Sequence, residues 1–436
     1  MAGECTADKG RSFLPQLVTG GILPVMETTM TNAMNLSKRA LGVPTSPTLA
    51  ITARVKELKA AGEDIIGFGA GEPDFGTPQV ICDAAVESLR AGQTRYAPTP
   101  GSPEAREAIA AKLRTENGID CSASDIIINN GAKFTVYLAL QAIVNPGDVV
   151  LLPTPAWVSY KPMIELAGGV VREIPAGPDS DFKMTAPQLE QALDGQVRAI
   201  ILNSPSNPCG TMYTPDEVRA LAKVLQSHPD VAIIADEIYE RLVYTDEPYL
   251  SMASLPEMAE QTITINGLSK TFAMTGWRIG YACAPGHKGE VIKAMTRLQS
   301  QMTSSITSFL MTSIPAALQK ATAEVQAMRE TFASRAKLIH GLVSQWPGVT
   351  CPQPTGAFYI FPDISGCFGK TSAGGVKIKA AMDFASALLD EARVAVVPGE
   401  GFLGCGANHV RLSFACSEED INRGCQRVRE WLDQLT

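Results

Sequence analysis

The chain has 436 residues, of which 45% are hydrophobic and 19% are charged. These values are typical of a folded globular protein with room for two or three domains. The formal net charge of −8 gives no reason to expect nucleic acid or an acidic membrane surface as a partner. Small anionic ligands are not excluded, because local arginines decide how such ligands bind.

The ten cysteines are scattered without a CxxC pair, which predicts free thiols in a reducing compartment and therefore a cytoplasmic protein. The four histidines show no metal-ligand spacing, so no metal site is expected. The uncharged run at 298–319 is rich in Ser, Thr and Gln and contains Pro315, which excludes a membrane span. Residues 1–35 are predicted to be a disordered leader. Organellar targeting by this leader is not supported and not excluded.

The middle of the chain repeats a strand, a loop and a helix. Continuous apolar runs such as 126–128, 199–202 and 231–234 predict strands that helices cover on both faces. The fold class is therefore α/β with a mostly parallel central sheet. Loops at the carboxyl ends of such strands build the ligand site, and the unusual loops of this chain all follow strands.

The last third of the chain has a different character. A long helix near 323–346 is followed by short strands and a closing helix, which predicts a smaller α+β domain. The predicted organisation is a leader at 1–35, a segment at 36–75 that joins the smaller domain, a large α/β domain at 76–318 and the smaller domain at 319–436.

The site is expected to centre on the stretch Thr262–Ala282, which reads TITINGLSKTFAMTGWRIGYA. Alternating polar and β-branched residues at 262–265 predict a half-buried strand that ends at Gly267, shortly before Lys270. Arg278 follows eight residues after the lysine. A lysine between small residues at a strand end, with an arginine at this distance, suits a carbonyl cofactor and its phosphate.

Other chemically useful side chains also follow strands. Asp236 ends a very apolar strand, so its carboxylate needs a salt bridge, a helix N-terminus or a protonated ring nitrogen as its partner. Tyr239 is expected one helical turn further on. Gly131-Ala132-Lys133 begins a predicted helix, where backbone N–H groups can bind an anion. The remaining candidates could equally be a turn former, a core aromatic and a paired cation; they are Asn207, Trp157 and Arg411.

These residues resemble the class I, fold-type I pyridoxal-phosphate aminotransferases, in the aspartate and prephenate aminotransferase subgroup. GLSKTFAMTGWRIG matches that family's lysine attachment pattern. AGEPDF, RYAP, NGAK, WVSY, NSPSNPCG, ADEIY, GAFY, VVPG and VRLSFA occur in the family's order across about 36–435. The resemblance implies pyridoxal 5'-phosphate as the cofactor. It also implies a large domain with a mostly parallel sheet between helices, and a smaller α+β domain.

The resemblance implies a role for each residue of the cofactor site. Lys270 would form the internal aldimine and move the substrate proton, and Asp236 would keep the pyridine nitrogen protonated. Tyr239 and Asn207 would hydrogen-bond the ring hydroxyl, and Trp157 would stack on the ring. The residues implied to bind the phosphate, the last of them from the second subunit of a homodimer, are Gly131, Ala132, Lys133, Ser269, Arg278 and Tyr96.

Substrate recognition is implied in the same way. Arg411 would bind the α-carboxylate, and Lys133 with Thr48 would bind a second carboxylate. This pair favours aspartate, glutamate and their 2-oxo acids, exchanged by ping-pong kinetics. Prephenate also carries two carboxylates, so its conversion to arogenate stays open, alone or in addition. The residues implied to contact substrate are Gly71, Thr48, Lys133, Trp157, Asn207 and Arg411.

Departures from the family pattern at Ala156, Cys209 and Phe414 leave the range of 2-oxo acids open. A carbon–sulfur β-lyase on the same fold is one rival, and Lys133 with Thr48 argues against it because a lyase needs no second carboxylate clamp. A non-catalytic binding protein is disfavoured by the complete set of catalytic residues. A dinucleotide-binding dehydrogenase is disfavoured because no GxGxxG follows the first strand.

Overall fold

The structure is a computed structural model that describes residues 36–43 and 47–436, without the side chains at 47–52. The described residues 36–43 belong to one compact unit, and the remainder belongs to a second unit, Pro44–Thr436. The predicted leader at 1–35 lies outside the described residues. The functional residues discussed below belong to the second unit.

The predicted helices and strands are present, with bounds that differ by a few residues from those expected. The helices are α1 (Lys38–Gly42), α2 (Pro47–Ala60), α3 (Gln79–Arg90), α4 (Pro103–Glu116), α5 (Ala132–Ile143), α6 (Tyr160–Leu166), α7 (Ala186–Ala192), α8 (Pro215–Leu225), α9 (Glu290–Met302), α10 (Ser313–Lys320), α11 (Thr322–Val343), α12 (Ala381–Ala392) and α13 (Glu418–Leu432). The strands are β1 (Ile66–Gly67), β2 (Ile126–Asn130), β3 (Val149–Thr154), β4 (Val170–Pro175), β5 (Val197–Asn203), β6 (Ala232–Asp236), β7 (Thr262–Gly267), β8 (Ile279–Cys283), β9 (Tyr359–Ile360), β10 (Val394–Ala395), β11 (Val397–Pro398) and β12 (Val410–Ser413). Within the described part of the chain, no helix has the length and apolar character needed to cross a bilayer.

Within the described residues, seven strands form one sheet in the order β2-β8-β7-β6-β5-β3-β4. Strand β8 runs antiparallel to both of its neighbours, and the other pairs are parallel. This mostly parallel sheet between helices confirms the predicted α/β fold. The edge strand β4 does not follow from the apolar pattern, because most of its side chains are exposed or half-buried.

The central strands send alternate side chains to opposite layers of helices. Ile200 and Ile233 pack in one apolar cluster with Leu221 of α8. Ile201 and Ile234 pack on the other face in a cluster that includes the apolar side chains of α5. Burial on both faces explains why these strands are continuous apolar runs in the sequence.

Strand β7 corrects one expectation. The alternation at 262–265 predicts a half-buried strand, yet every residue of β7 is buried, because the strand lies between β6 and β8 with helices on both faces. Thr262 donates its hydroxyl to the carbonyl of Met258 at 2.7 Å, which allows its burial. The hydroxyl of Thr264 is buried without a hydrogen-bond partner among the described residues. Polar residues in the strand therefore do not mark a solvent-facing side.

The C-terminal third builds two small sheets. Strand β1 pairs in parallel with β10, so that Ile66 lies opposite Val394. The order in the second sheet is β11-β12-β9, and its strands are antiparallel. The pairing of β1 with β10 brings residues 66–67 to the C-terminal third. The assignment of 36–75 to the smaller domain stays a prediction. The domain boundaries at 75 and 318 stay predictions.

Candidate active site

A cavity of about 580 Å³ lies at the carboxyl ends of the central strands. The strand register places Asn203 at the end of β5 beside Asp236 at the end of β6, so both side chains reach this edge. The predicted site residues that line the cavity are Gly71, Ala132, Lys133, Trp157, Asn207, Asp236, Tyr239, Ser269, Lys270, Arg278 and Arg411.

Lys270 lies in the turn that follows β7. The amide of Met274 donates to the carbonyl of Ser269 at 3.0 Å and closes this turn. The Lys270 amine donates to the carbonyl of Gly71 across the cavity. Burial lowers the pKa of Lys270 to about 8, opposed by the charge of Glu72 and assisted by two nearby arginines. The amine therefore loses its proton more easily than an ordinary lysine, as a nucleophile or proton acceptor must.

Asp236 is 4% exposed at the end of β6. Its Oδ2 accepts a hydrogen bond from the hydroxyl of Tyr160 at 2.6 Å, and its Oδ1 accepts one from the amide of Ile238 at 3.3 Å. Burial raises the pKa of Asp236 to about 6, although both hydrogen bonds oppose the rise. A cationic ligand placed in the cavity would stabilise the ionised form of this buried carboxyl group.

Gly131 and Arg278 form an anion cradle at the start of α5. Gly131 has a φ of 84°, and a Cβ there would lie 2.4 Å from Nη2 of Arg278. Only glycine therefore lets the guanidinium lie against the first turn of the helix. Arg278 donates from Nη1 to the carbonyl of Thr275 at 2.8 Å, which fixes its direction. Its charge and the free amides of α5 suit a phosphate-like anion.

Arg411 on β12 also lines the cavity. It donates from Nη1 to Oδ1 of Asn207 at 2.9 Å and from Nη2 to the carbonyl of Gly69 at 3.2 Å. Its guanidinium carbon lies 4.5 Å from the ring centroid of Tyr359 and 5.2 Å from that of Phe402. Arg411 is only 7% exposed and forms no ion pair within the described residues. A ligand carboxylate would be its natural partner.

Tyr239 lies in a hydrogen-bonded turn, and the expectation of a helical turn is wrong. The chain bends here because the Glu237 amide donates to the Ile265 carbonyl of β7, and the Leu242 amide then donates back to the Tyr239 carbonyl. The Tyr239 hydroxyl lies 3.1 Å from that of Tyr359. Burial raises the pKa of Tyr239 well above its ordinary value, so the phenol keeps its proton as a hydrogen-bond donor.

Lys133 and Trp157 form a side wall of the cavity. The ammonium of Lys133 lies 5.1 Å from the centre of the Trp157 ring. Burial lowers the pKa of Lys133, and the charge of Arg278 adds to this effect. Trp157 packs edge-to-face on Tyr160 at 5.3 Å, which fixes the plane of its indole. The lysine therefore presents a partly desolvated positive charge to the cavity.

Gly131 and Tyr96 do not line the cavity of this single chain, although Gly131 lies against Arg278, which does. Tyr96 is 96% exposed and lines a separate hollow with Arg95 and Ser308. The side chain of Thr48 lies outside the described residues. A contact between Tyr96 and the site therefore stays a prediction that requires a second copy of the chain.

Three aromatic residues of the cavity were missing from the predicted site: Tyr160, Tyr359 and Phe402. Tyr160 ends the WVSY motif, three residues after Trp157, and this helical spacing is the one signal that could have found it. Contacts that join distant segments, such as Tyr359 with Arg411, leave no such local pattern. Among the described residues, no group of three or more His, Cys, Asp and Glu side chains could hold a metal ion.

A sequence model of the family described as aminotransferase class I and II matches residues 63–428. The chain belongs to this family of aminotransferases. It is 45% identical over 402 residues to the aspartate/prephenate aminotransferase of Cereibacter sphaeroides, and the match covers 92% of this chain and 99% of that relative. It is 43% identical over 402 residues to the aspartate aminotransferase of Geobacillus stearothermophilus, with the same coverage of both chains.

Solved aminotransferase structures show the same fold. The aspartate aminotransferase of Rhizobium meliloti superposes with a TM-score of 0.88 at 37% identity, over 92% of this chain and 100% of that one. The Thermus thermophilus aspartate aminotransferase described with maleate gives a TM-score of 0.84 at 38% identity, over 91% of this chain and 99% of that one. The family membership and the fold-type I architecture expected from the sequence are thereby confirmed.

Proposed function

We propose that this aminotransferase binds pyridoxal 5'-phosphate in the cavity and exchanges amino groups between aspartate or glutamate and 2-oxo acids. The observation that carries the proposal is that one cavity joins a buried amine, a buried carboxyl group and an anion cradle. These are Lys270, Asp236 and the pair of Gly131 with Arg278. Each of the three matches a different part of the cofactor.

The residues present fit this cofactor. Asp236 lacks a close cationic partner, and a protonated ring nitrogen would provide one. Arg278, the amides at the start of α5 and the Ser269 hydroxyl suit the phosphate. The bound cofactor supplies an electron sink that accepts the negative charge left on the substrate α-carbon. Trp157 offers a flat ring face to the same cavity.

The protein residues supply the proton transfers and the orientation. Lys270, with its lowered pKa, would take the proton from the substrate α-carbon and return it for the second half of the exchange. Asn207 uses Oδ1 to accept from Arg411, which leaves its Nδ2 to donate to the ring oxygen. The Tyr239 phenol would donate to the same oxygen.

We expect Tyr160→Phe to lower kcat with aspartate about tenfold, because a hydrogen bond to a charged carboxylate is worth about 1.5–3 kcal/mol. Loss of this bond raises the pKa of Asp236 further and weakens its pairing with the ring nitrogen. Steady-state kinetics and cofactor titration would measure the effect. Tyr137→Phe, on the neighbouring α5, is the matched control. Equal activities of the two variants would show that Tyr160 does not tune Asp236.

The second carboxylate of a dicarboxylic substrate is proposed to pair with Lys133, assisted by Thr48. Arg411 would bind the α-carboxylate, because its guanidinium is buried, oriented and free of a carboxylate partner among the described residues. Two cations that line one cavity suit a substrate with two carboxylates. Gly71 would add a backbone contact next to Lys270.

Replacing Lys133 by alanine tests this assignment. We expect kcat/KM for aspartate and glutamate to fall about 100-fold, because the variant removes the cation proposed to pair with the second carboxylate. Amino acids with a single carboxylate should lose far less. Lys161→Ala on α6, which does not line the cavity, is the matched control. Equal losses for substrates with one and two carboxylates would refute the clamp.

Prephenate is the second candidate substrate, alone or beside oxaloacetate and 2-oxoglutarate. It also carries two carboxylates, and the 45% identical relative from Cereibacter sphaeroides is named an aspartate/prephenate aminotransferase. A screen of amino-group transfer to prephenate, oxaloacetate and 2-oxoglutarate would rank the acceptors. Formation of arogenate at a rate comparable with that of aspartate would establish the dual role.

A homodimer is part of the proposal. Tyr96 is almost fully exposed, and it is assigned here to the phosphate site of a second copy. The nearby α3 exposes Val86 and Leu89, at 43% and 48%, as an apolar surface that a second copy could cover. The site of each subunit would then be complete only in the dimer.

A further inference from the structure

The turn that bears Asp236 and Tyr239 has a second, hidden face. Its two glutamates, Glu237 and Glu240, do not line the cavity and are 2% and 8% exposed. Glu237 accepts a hydrogen bond at Oε1 from the hydroxyl of Ser251 at 2.6 Å. The lining of the cavity does not include Glu237, Glu240 or Ser251. Two buried carboxyl groups therefore lie directly behind two residues of the cofactor site.

Glu240 forms a buried ion pair with Lys112 of α4, which is 5% exposed. Lys112 also donates to Oδ1 of Asn117 at 2.8 Å, and Asn117 donates from Nδ2 to the other oxygen of Glu240. These contacts form a closed ring of three side chains. Because every member is hydrogen-bonded, the ring fixes the distance between the end of α4 and the turn.

The charges within this cluster are balanced. Burial raises the pKa of Glu240, but the charge of Lys112 and its hydrogen bonds more than offset this rise, so the net pKa is lowered. Burial raises the pKa of Glu237 to about 8, and the charge of Glu240 adds to this rise. Glu237 is therefore mostly neutral at pH 7, and Lys112 compensates the single remaining charge.

The end of α4 is linked to the turn that carries Lys270 through Arg241. Glu116 forms an ion pair with Arg241 at 2.6 Å, and the guanidinium carbon of Arg241 lies 5.4 Å from the ring centre of Phe272. Phe272 is two residues from Lys270. Helix α4 therefore contacts the turn that carries Asp236 and Tyr239, and Arg241 of that turn contacts Phe272 near Lys270. Helix α4 contributes no residue to the cavity itself.

We propose that Lys112 is a positioning residue for the active site. Through its buried pair with Glu240, it fixes the turn that presents Tyr239 and Asp236 to the cofactor. The inference rests on the proposed function, because the role of the turn is to bind pyridoxal phosphate. A displacement of the Tyr239 phenol would weaken its donation to the ring oxygen, while Arg411 and Lys133 would still bind substrate.

The test uses a double variant, Lys112→Met with Glu240→Gln, purified with pyridoxal phosphate. Removal of both charges avoids a lone buried ion and is expected to preserve the fold. We expect the pH midpoint of the cofactor absorption band to rise by about half a unit, because a weaker hydrogen bond to the charged ring oxygen favours its protonated form. We also expect kcat to fall about tenfold with little change in KM.

Two controls separate positioning from stability. Leu189→Ala removes a fully buried side chain on α7, away from the cavity, and lowers the unfolding temperature without touching the turn. Lys112→Arg, made in the wild-type protein, keeps the charge and should have the wild-type pH midpoint. If the double variant does not fold, Glu240→Gln alone must show the same shift, and hydrogen exchange of 237–242 in that variant must be faster than in Leu189→Ala.

The outcomes distinguish the two proposals. A wild-type protein without a cofactor band would overturn the proposed function and this inference with it. A normal wild type together with a double variant whose midpoint and kcat match those of Leu189→Ala would overturn the positioning role alone. The positioning role would be supported if the double variant shifts the midpoint at unchanged KM while Lys112→Arg keeps the wild-type midpoint.

Discussion

Replacing Lys270 by alanine is expected to lower transamination at least about 10⁴-fold, because the variant loses both the nucleophile and the proton acceptor. The residue lies in a turn closed by its own backbone hydrogen bonds, so alanine should leave the fold intact. The cofactor absorption band that depends on the covalent bond to Lys270 should be absent. Absorption spectra and single-turnover kinetics would measure both effects.

The control for this variant is Lys293→Ala, which removes an exposed lysine paired with Glu290 on α9. It should retain the spectrum and the activity of the wild type. Full activity in Lys270→Ala would contradict the assignment of the cavity. If Lys270→Ala is inactive because it does not fold, Lys270→Arg is measured instead. This variant keeps the charge and the bulk of the side chain, and it should also be inactive.

Asp236→Asn is expected to affect function and stability in opposite directions. Turnover should fall about 10²–10³-fold, because a neutral amide cannot stabilise the protonated ring nitrogen. In the cofactor-free protein, however, burial raises the pKa of Asp236 from 3.8 to about 6. The folded state then binds the proton more tightly than the unfolded state, so its stability falls as pH rises from about 4 to about 6.

The Asp236→Asn variant has no buried carboxyl group to ionise, so its stability is not lowered in this way as pH rises. At pH 7 the cofactor-free Asp236→Asn protein should be more stable to unfolding than the wild type by about 3 kcal/mol, and near pH 4 the difference should be less than about 1 kcal/mol. Denaturant titrations at the two pH values would measure it. Asp230→Asn, at an exposed position two residues before β6, is the matched control for the loss of a carboxylate. A less stable Asp236→Asn protein at pH 7 would mean that the carboxylate already has a favourable partner.

Local patterns in the sequence predicted the strands, the order of the site loops and the residues at their ends. Asp236 ends β6 and Lys270 follows β7, and parallel strands bring their carboxyl ends to one edge. Arg278 immediately precedes the antiparallel strand β8, whose start lies at that same edge. The same patterns predicted β7 wrongly as half-buried, because alternation cannot reveal that both neighbours and both helical layers cover the strand. They gave no sign of the exposed edge strand β4.

Contacts between segments that are distant in the chain could not be predicted from local sequence patterns. Tyr160 meets Asp236, and Tyr359 meets both Tyr239 and Arg411, only because the fold joins segments that lie far apart in the chain. The buried pair of Lys112 and Glu240 was hidden for the same reason: a lysine in an amphipathic helix usually faces solvent. Charge partners of this kind follow from packing, which periodicity does not encode.

A single-turnover half-reaction tests the central claim most directly. Purified protein carrying pyridoxal phosphate is mixed with aspartate in the absence of any 2-oxo acid. We expect about one equivalent of oxaloacetate per cofactor site, loss of the original absorption band, and its recovery when 2-oxoglutarate is added. The contrary result would be no oxaloacetate, or continuous release of ammonia, because neither is compatible with an aminotransferase acting on aspartate.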